Sequence, residues 1–187
     1  MRAFNFKTKK RRKDRGFTLV ETLVAISILS LSILASFGAV QNGIKSSGVS
    51  KDQITAFFLA QETIEFIKNI RDENALLTLS STPTHWLHGF AEAQGDPCFP
   101  GKVCMIDSNA KTITYCGVVS GSCPNLNQNS TTGLYGYTAG WVVSRYKREV
   151  EFQIINADEV MVTVNILWTD GTVSRSFEVK QLLFNHG

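Results

Sequence analysis

Hydrophobic and polar positions change their period three times along the chain. From Phe17 to Val40 there is no period at all: 24 residues carry a single charge, Glu21. A helix of about 20 residues crosses about 30 Å of hydrocarbon, so this run predicts a membrane-spanning helix over 17–40. After Val40 the pattern turns amphipathic. Ile54, Phe57, Phe58, Gln61, Ile64, Ile67 and Ile70 fall near i, i+3, i+4 spacing, which predicts that the helix continues over 41–75. At 1.5 Å per residue, Phe17 to Asn74 would measure about 85 Å if unbroken. Gly38, Gly43 and the Ser46–Ser50 stretch argue for a bend or break between Gly38 and Ser50, since each internal glycine costs about 1 kcal/mol relative to alanine. An apolar helical stripe is read as core, so Phe57, Phe58 and Ile64 receive no functional role.

Residues 76–140 lose this regularity. They are dense in Ser, Thr, Gly and Asn, and they hold all four prolines and all four cysteines, which predicts a loop-rich region. Whether Thr112–Cys116 or Gly133–Tyr137 adds a strand is open. From 141 to 187 the period becomes two. Val150, Phe152 and Ile154 alternate with Glu149, Glu151 and Gln153. Val160, Val162, Val164, Ile166 and Trp168 alternate with Met161, Thr163 and Asn165. A third run places Val173, Phe177 and Val179 on one face, and Asp170-Gly171 signals a two-residue hairpin. The expected product is an antiparallel meander of three or more strands, its apolar face covered by the amphipathic half of the helix. The fold class is therefore α+β.

Charge sharpens the N-terminal picture. Residues 1–16 hold eight Lys/Arg and one acid, so the net +3 of the whole chain leaves −4 for the remainder. The basic charge is a local label rather than a nucleic-acid-binding surface, and no nucleic-acid partner is expected. A basic run before an apolar segment stays cytoplasmic, which places the C-terminus outside. Thirteen Phe, Leu, Ile and Val residues in 17–40 outweigh Glu21 on an insertion scale where each contributes about −0.3 to −0.6 kcal/mol and an acid costs roughly 2.5–3.5. A secretory signal peptide, cut after Ala35 or Ala39, is the plainer alternative. A carboxylate at membrane depth is a functional hypothesis by default. The cation it would need is the amine freed by a cut between Gly16 and Phe17, which lies four residues away, on the same face if both are helical.

Chemistry elsewhere is sparse. There is no phosphate-binding glycine loop, no G-x-S-x-G and no HExxH, so neither an enzyme nor a cofactor is expected. Cys98, Cys104, Cys116 and Cys123 are an even set in an exported region and suggest disulfides in one of three pairings, the local Cys98–Cys104 and Cys116–Cys123 being favoured. Their spacing does not suit C-x₂₋₄-C zinc binding, and no metal is expected. His85 and His88 are read as surface groups flanking an anchoring Trp86. The "SRYKRE" stretch, Ser144–Glu149, is read as a solvated strand edge whose cations discourage edge pairing.

The run "RGFTLVETLVAISIL", after the basic leader, resembles the class III signal of type IV pilins and type II secretion pseudopilins. Its elements are Gly16, aromatic Phe17, Thr18-Leu19-Val20, Glu21 and the long apolar run. The resemblance implies a leader, 1–16, removed after Gly16 by a prepilin peptidase, and N-methylation of Phe17. Glu21 would pair with the N-terminal amine of a neighbouring subunit during assembly. It also implies a pilin-like fold, other pilin subunits and an inner-membrane assembly platform as partners, and a bacterial inner-membrane precursor that enters an extracytoplasmic filament. "FFLAQETIEFIKNIRDENA" looks like the minor-pilin branch. A minor pilin of a type IV pilus is the first reading, and a minor pseudopilin of type II secretion or DNA uptake the second. A signal-anchored binding domain that never polymerises is the reading from a different class.

Overall fold

The computed structural model describes residues 16–79 and 84–185; the basic leader before Gly16 lies outside them. Helix α1 runs from Leu19 to Leu79 and is followed by seven strands. These are β1 (Val103–Asp107), β2 (Thr112–Gly117), β3 (Asn125–Gln128), β4 (Tyr135–Gly136), β5 (Val142–Asn156), β6 (Glu159–Asp170) and β7 (Val173–Phe184). The architecture is α+β and pilin-like. The chain divides into two units between Val49 and Ser50.

No break interrupts α1 between Gly38 and Ser50. Gly38, Gly43 and Gly48 are absent from the glycines with positive φ. The cost of each glycine, about 1 kcal/mol, is spread among many helical hydrogen bonds, so it weakens the helix without ending it.

The second unit begins with the amphipathic part of α1, and here the buried face differs from the expected one. Asp52, Ala56, Leu59, Ala60, Thr63, Ile64, Ile67 and Asn74 are buried. Ile54, Phe57 and Phe58 are 57%, 48% and 62% exposed, so they are not core residues. Both stripes have helical spacing. The observed one is lined by Ala56, Ala60 and Thr63, whose small side chains let the helix backbone approach the sheet; a reading weighted by side-chain size selects the phenylalanines instead. Ile64 and Ile67 belong to the buried face in both.

All seven strands form one antiparallel sheet, with β5 at its centre. One edge of β5 meets β3 (Asn125 opposite Lys147) and then β1 (Cys104 opposite Val150). Its other edge pairs with β6 from Tyr146–Trp168 to Asn156–Glu159. Strand β7 completes the meander beyond β6. Asp170 pairs with Val173, so the hairpin turn is Gly171–Thr172, one residue later than expected. Gly171 supplies the positive φ, 61°, that such turns require. Strands β2 and β4 answer the question left open for the loop-rich region.

The core lies between the helix and one face of the sheet. Val150, Phe152, Val160, Val162, Val164 and Ile166 join Leu59, Ile64 and Ile67, and Phe90 packs on Phe152 with ring centroids 5.3 Å apart. Burying each such side chain contributes about 1.5–3 kcal/mol. Ile154, in the same alternation, is 49% exposed near the end of β5.

The stretch 144–149 is not a solvated edge. It lies within β5, and Tyr146, Arg148 and Glu149 are buried. Alternation sends Arg148 to the helix side and Glu149 to the opposite side. Arg148 donates to Glu62 Oε2 (3.3 Å) and to the Ile106 carbonyl. Tyr146 donates from its hydroxyl to Asp52 Oδ1 (2.9 Å), which also accepts from Arg145 (2.8 Å). Two of the three cations expected to repel neighbouring strands, Arg145 and Arg148, instead fasten β5 to α1.

Two predictions follow from these tethers. Glu62→Ala strands the Arg148 charge and should cost about 3 kcal/mol, whereas Arg148→Met added to Glu62→Ala should cost less than the sum of the single changes. Denaturant midpoints of the detergent-extracted chain measure this; strict additivity would show that the pair is uncoupled. Burial pushes the hydroxyl of Tyr137 up to about 12, and burial together with the Asp52 hydrogen bond does the same for Tyr146. Their protonated forms are held by the fold, so this contribution is complete below pH 10 and is lost as pH rises from about 10 to 12. Ultraviolet titration should show late-ionising tyrosines whose ionisation accompanies unfolding.

Candidate processing and assembly site

Gly16, Phe17 and Thr18 precede the first helical residue, Leu19. Gly16 is exposed, and Phe17 is 76% exposed. Thr18 caps the helix: its Oγ1 accepts the Glu21 backbone N–H at 3.2 Å, and its carbonyl accepts the Thr22 N–H at 3.1 Å. Thr18 at the cap and Glu21 three residues later have the spacing of a capping box. Phe17 thus lies outside the helix, and the helical-face argument for Phe17 and Glu21 does not apply. With the cap at Thr18 the helix starts only at Leu19, which leaves the Gly16–Phe17 bond outside it and exposed.

Glu21 sits in the first turn of α1 and is exposed. The partial positive charge of the helix N-terminus favours a carboxylate there. Among the described residues no cation is paired with it.

The apolar run behind Glu21 is helical throughout and unpartnered. One 18-residue window has a mean hydropathy of 2.3 and none of it is buried, so the helix is long and apolar enough to cross a membrane. Four of its five hydroxyls between Thr22 and Ser36 bond back to helix carbonyls. Thr22 donates to the Leu19 carbonyl (2.9 Å), Ser27 to Leu23 (2.9 Å), Ser32 to Ile28 (2.8 Å) and Ser36 to Ser32 (2.9 Å). Each of these four side chains therefore adds little cost in hydrocarbon, where an unmade hydrogen bond costs several kcal/mol. The sequence signal for this was the isolated placement of each hydroxyl in a helical run.

Residues 11–37 match the prokaryotic N-terminal methylation motif. The matched stretch spans the Gly16–Phe17 junction, Glu21 and the apolar helix as far as Phe37. No curated protein and no solved structure matches the chain. This methylation motif is the class III signal of type IV pilins. Together with the helix-then-sheet architecture it supports a prepilin-like subunit of the pilin and pseudopilin kind, anchored in a membrane by its N-terminal helix.

The cysteines form two disulfides, Cys98–Cys104 and Cys116–Cys123, with Cα atoms 5.2 and 4.9 Å apart. The first ties the turns after Trp86 to β1. The second closes the loop between β2 and β3. Glu149 reinforces that loop from below, accepting from Gly121 N (2.8 Å), Cys123 N (3.2 Å) and Ser120 Oγ (2.9 Å). The sequence contained Glu149 but no cue that it would be buried. His85 and His88 are exposed beside buried Trp86, and His88 contacts Glu92 at 2.8 Å. Among the described residues no three His, Cys, Asp or Glu side chains are placed to hold a metal.

Thr18→Ala removes the cap and should destabilise the first turn by about 1 kcal/mol. Amide exchange in micelles should accelerate at Leu19–Thr22 and stay unchanged beyond the second turn. Unchanged exchange throughout would mean that the hydroxyl does not hold this end.

Proposed function

We propose that this chain is a minor pilin, made as a precursor, cut between Gly16 and Phe17 by a prepilin peptidase, and N-methylated on Phe17. The carrying observation is the methylation motif over residues 11–37 directly in front of an unburied apolar helix. The exposed junction and the cap that starts the helix only at Leu19 support cleavage at that bond.

Assembly follows from the same surface. In the membrane the 17–40 helix is solvated by lipid; in a filament it packs against copies of itself and of other pilins. The contacts are heterologous and head-to-tail, so the array grows as a helix rather than closing. Glu21 sets register by pairing with the Phe17 amine of a neighbouring subunit. Cleavage creates that amine, so processing and assembly competence are coupled by charge. An inner-membrane platform is the site of addition.

Intact mass and N-terminal sequencing of the membrane-extracted protein, made with and without a prepilin peptidase, test the processing step. The expected product begins at N-methylated Phe17. A chain that keeps Met1 is a plain signal anchor, and one beginning after Ala35 or Ala39 is a secreted domain; either result overturns the proposal. For assembly, Glu21→Ala should insert normally yet fall at least 10-fold in filament incorporation, as judged by the pelleted fraction. Incorporation at the normal level would remove Glu21 from the mechanism.

A further inference from the structure

Strand β7 closes one side of the sheet: it pairs with β6 and with no other strand. Its hairpin with β6 fixes which backbone groups face outward. Asp170 and Val173 flank a two-residue turn, which makes them a hydrogen-bonded pair, and the pattern alternates from there. Odd-numbered residues of β7 therefore bond to β6, and the N–H and carbonyl groups of the even-numbered ones point away from it. The end of the strand agrees: the Phe184 carbonyl accepts from Arg71 (3.5 Å) and that of Leu182 from the Gln181 amide (2.9 Å). Among the described residues nothing bonds to the outward backbone groups of Ser174, Ser176, Glu178 and Lys180, and all four are exposed.

Edge strands are usually protected against pairing by a proline, a bulge or unbalanced charge. Residues 173–184 contain no proline, and their register with β6 runs without a shift from Asp170–Val173 to Glu159–Phe184. The two charges on the face turned away from α1, Glu178 and Lys180, pair with each other at 3.1 Å and leave no net charge there. Beside the edge, Phe57 of α1 rests on Phe177, with ring centroids 6.2 Å apart, and is half exposed. A strand added to β7 completes the ladder and runs past that ring.

We propose that this strand is β7 of a second copy, paired antiparallel about Val179. Charge selects the occupant and the register. Centred on Val179, Glu178 stands opposite Lys180 of the second copy, and Lys180 opposite its Glu178. These residues are even-numbered, so each pair also exchanges two backbone hydrogen bonds. Moving the centre by one residue sets Glu178 opposite Glu178, or Lys180 opposite Lys180, which is unfavourable. Moving it by two leaves both charges opposite Ser176 and Ser174, or opposite Leu182 and Phe184. The contact is isologous and closed, a two-fold dimer with one continuous sheet. The contacts of Phe57 with Phe177 and of Arg71 with Phe184 make β7 run in the same sense as residues 57–71 of α1. The two copies of that helix segment are therefore antiparallel, and the chains enter the dimer at Ser50 from opposite ends. Such a dimer joins copies carried on facing surfaces, not neighbours in one membrane, and is separate from the filament packing proposed above.

The test is sedimentation velocity of the detergent-extracted full chain over a concentration series, with far-ultraviolet dichroism reporting folding. A monomer–dimer equilibrium is expected. Glu178→Lys and Lys180→Glu should each weaken it about 10-fold or more, because each sets like charges opposite one another twice across the axis. The variant carrying both reversals should restore it. Ser176→Pro removes an outward N–H and spares the β6 ladder, so it should weaken the dimer as well. The two Val179 residues form a non-hydrogen-bonded pair with Cα atoms about 4.5 Å apart, within disulfide range. All four native cysteines are bridged, so Val179→Cys adds a single free thiol and should give a covalent dimer on oxidation. That variant carries the test if the charge variants do not fold. A chain that stays monomeric, or a Val179→Cys chain that does not cross-link, overturns the proposal. So does a folded double reversal that fails to restore the dimer. A dimer unchanged by either single reversal overturns it in favour of association through the apolar helices.

Discussion

Everything in this molecule depends on an apolar helix that its own chain does not bury. A core segment of a globular domain loses its water to neighbouring side chains. Here Leu23, Ile28, Leu31, Leu34 and Val40 are each more than half exposed, so among the described residues nothing covers the 17–40 surface. At about 25 cal/mol per Å², exposure of a segment this apolar to water is untenable. Lipid is one such cover, and in the assembly proposed above neighbouring helices would replace it. Hydroxyls bonded back to helix carbonyls suit both, because neither environment has to supply their partners.

The second unit solves a different problem: attaching a sheet to an extended helix that offers only one narrow face. Apolar contact supplies most of the area, through small residues at Ala56, Ala60 and Thr63. Orientation comes from charge. Asp52 and Glu62 stand ten residues apart on α1 and grip Tyr146, Arg145 and Arg148 of one strand. Two charged tethers separated along both elements resist sliding and rotation more than apolar packing alone, since a shifted register would leave Arg148 buried and unpaired. On the other side of β5, Glu149 uses the same economy, gathering loop donors over a closed disulfide ring. Adjacent residues of opposite sign thus fix the two faces of one strand.

These particulars explain what was legible in advance. The 17–40 run, the alternation in β6 and the hairpin near Asp170 all depend on local period, and local period survives folding. The methylation motif is likewise local. The buried face of α1 was misplaced because Phe57 and Phe58 share its spacing, and selection between two stripes is made by how closely the sheet approaches, a tertiary fact. Arg148 and Glu149 were read as edge residues because a charged tetrad looks solvated until strands β1 and β3, short and weakly patterned, are known to pair alongside. Of the bend or break expected between Gly38 and Ser50, a break does not occur, for a related reason: helix propensity is a small local cost, and it does not outweigh a long uninterrupted ladder of hydrogen bonds.

The cap on α1 bears on how strongly Glu21 can drive assembly. With the helix starting at Leu19, the carboxylate lies in its first turn, about 3 Å along the axis from that start. It therefore sits near one end of the apolar run, and its desolvation is less than the roughly 2.5–3.5 kcal/mol assigned to an acid at the centre of a bilayer. The gain on pairing with a neighbouring amine is correspondingly modest for a single contact. In the proposed filament each subunit would repeat the contact, and a wrong register would oppose Glu21 to hydrocarbon side chains along the whole array. Under that proposal the glutamate would contribute less to the affinity of any one subunit than to the rejection of misaligned ones, as buried polar groups do at a helical seam.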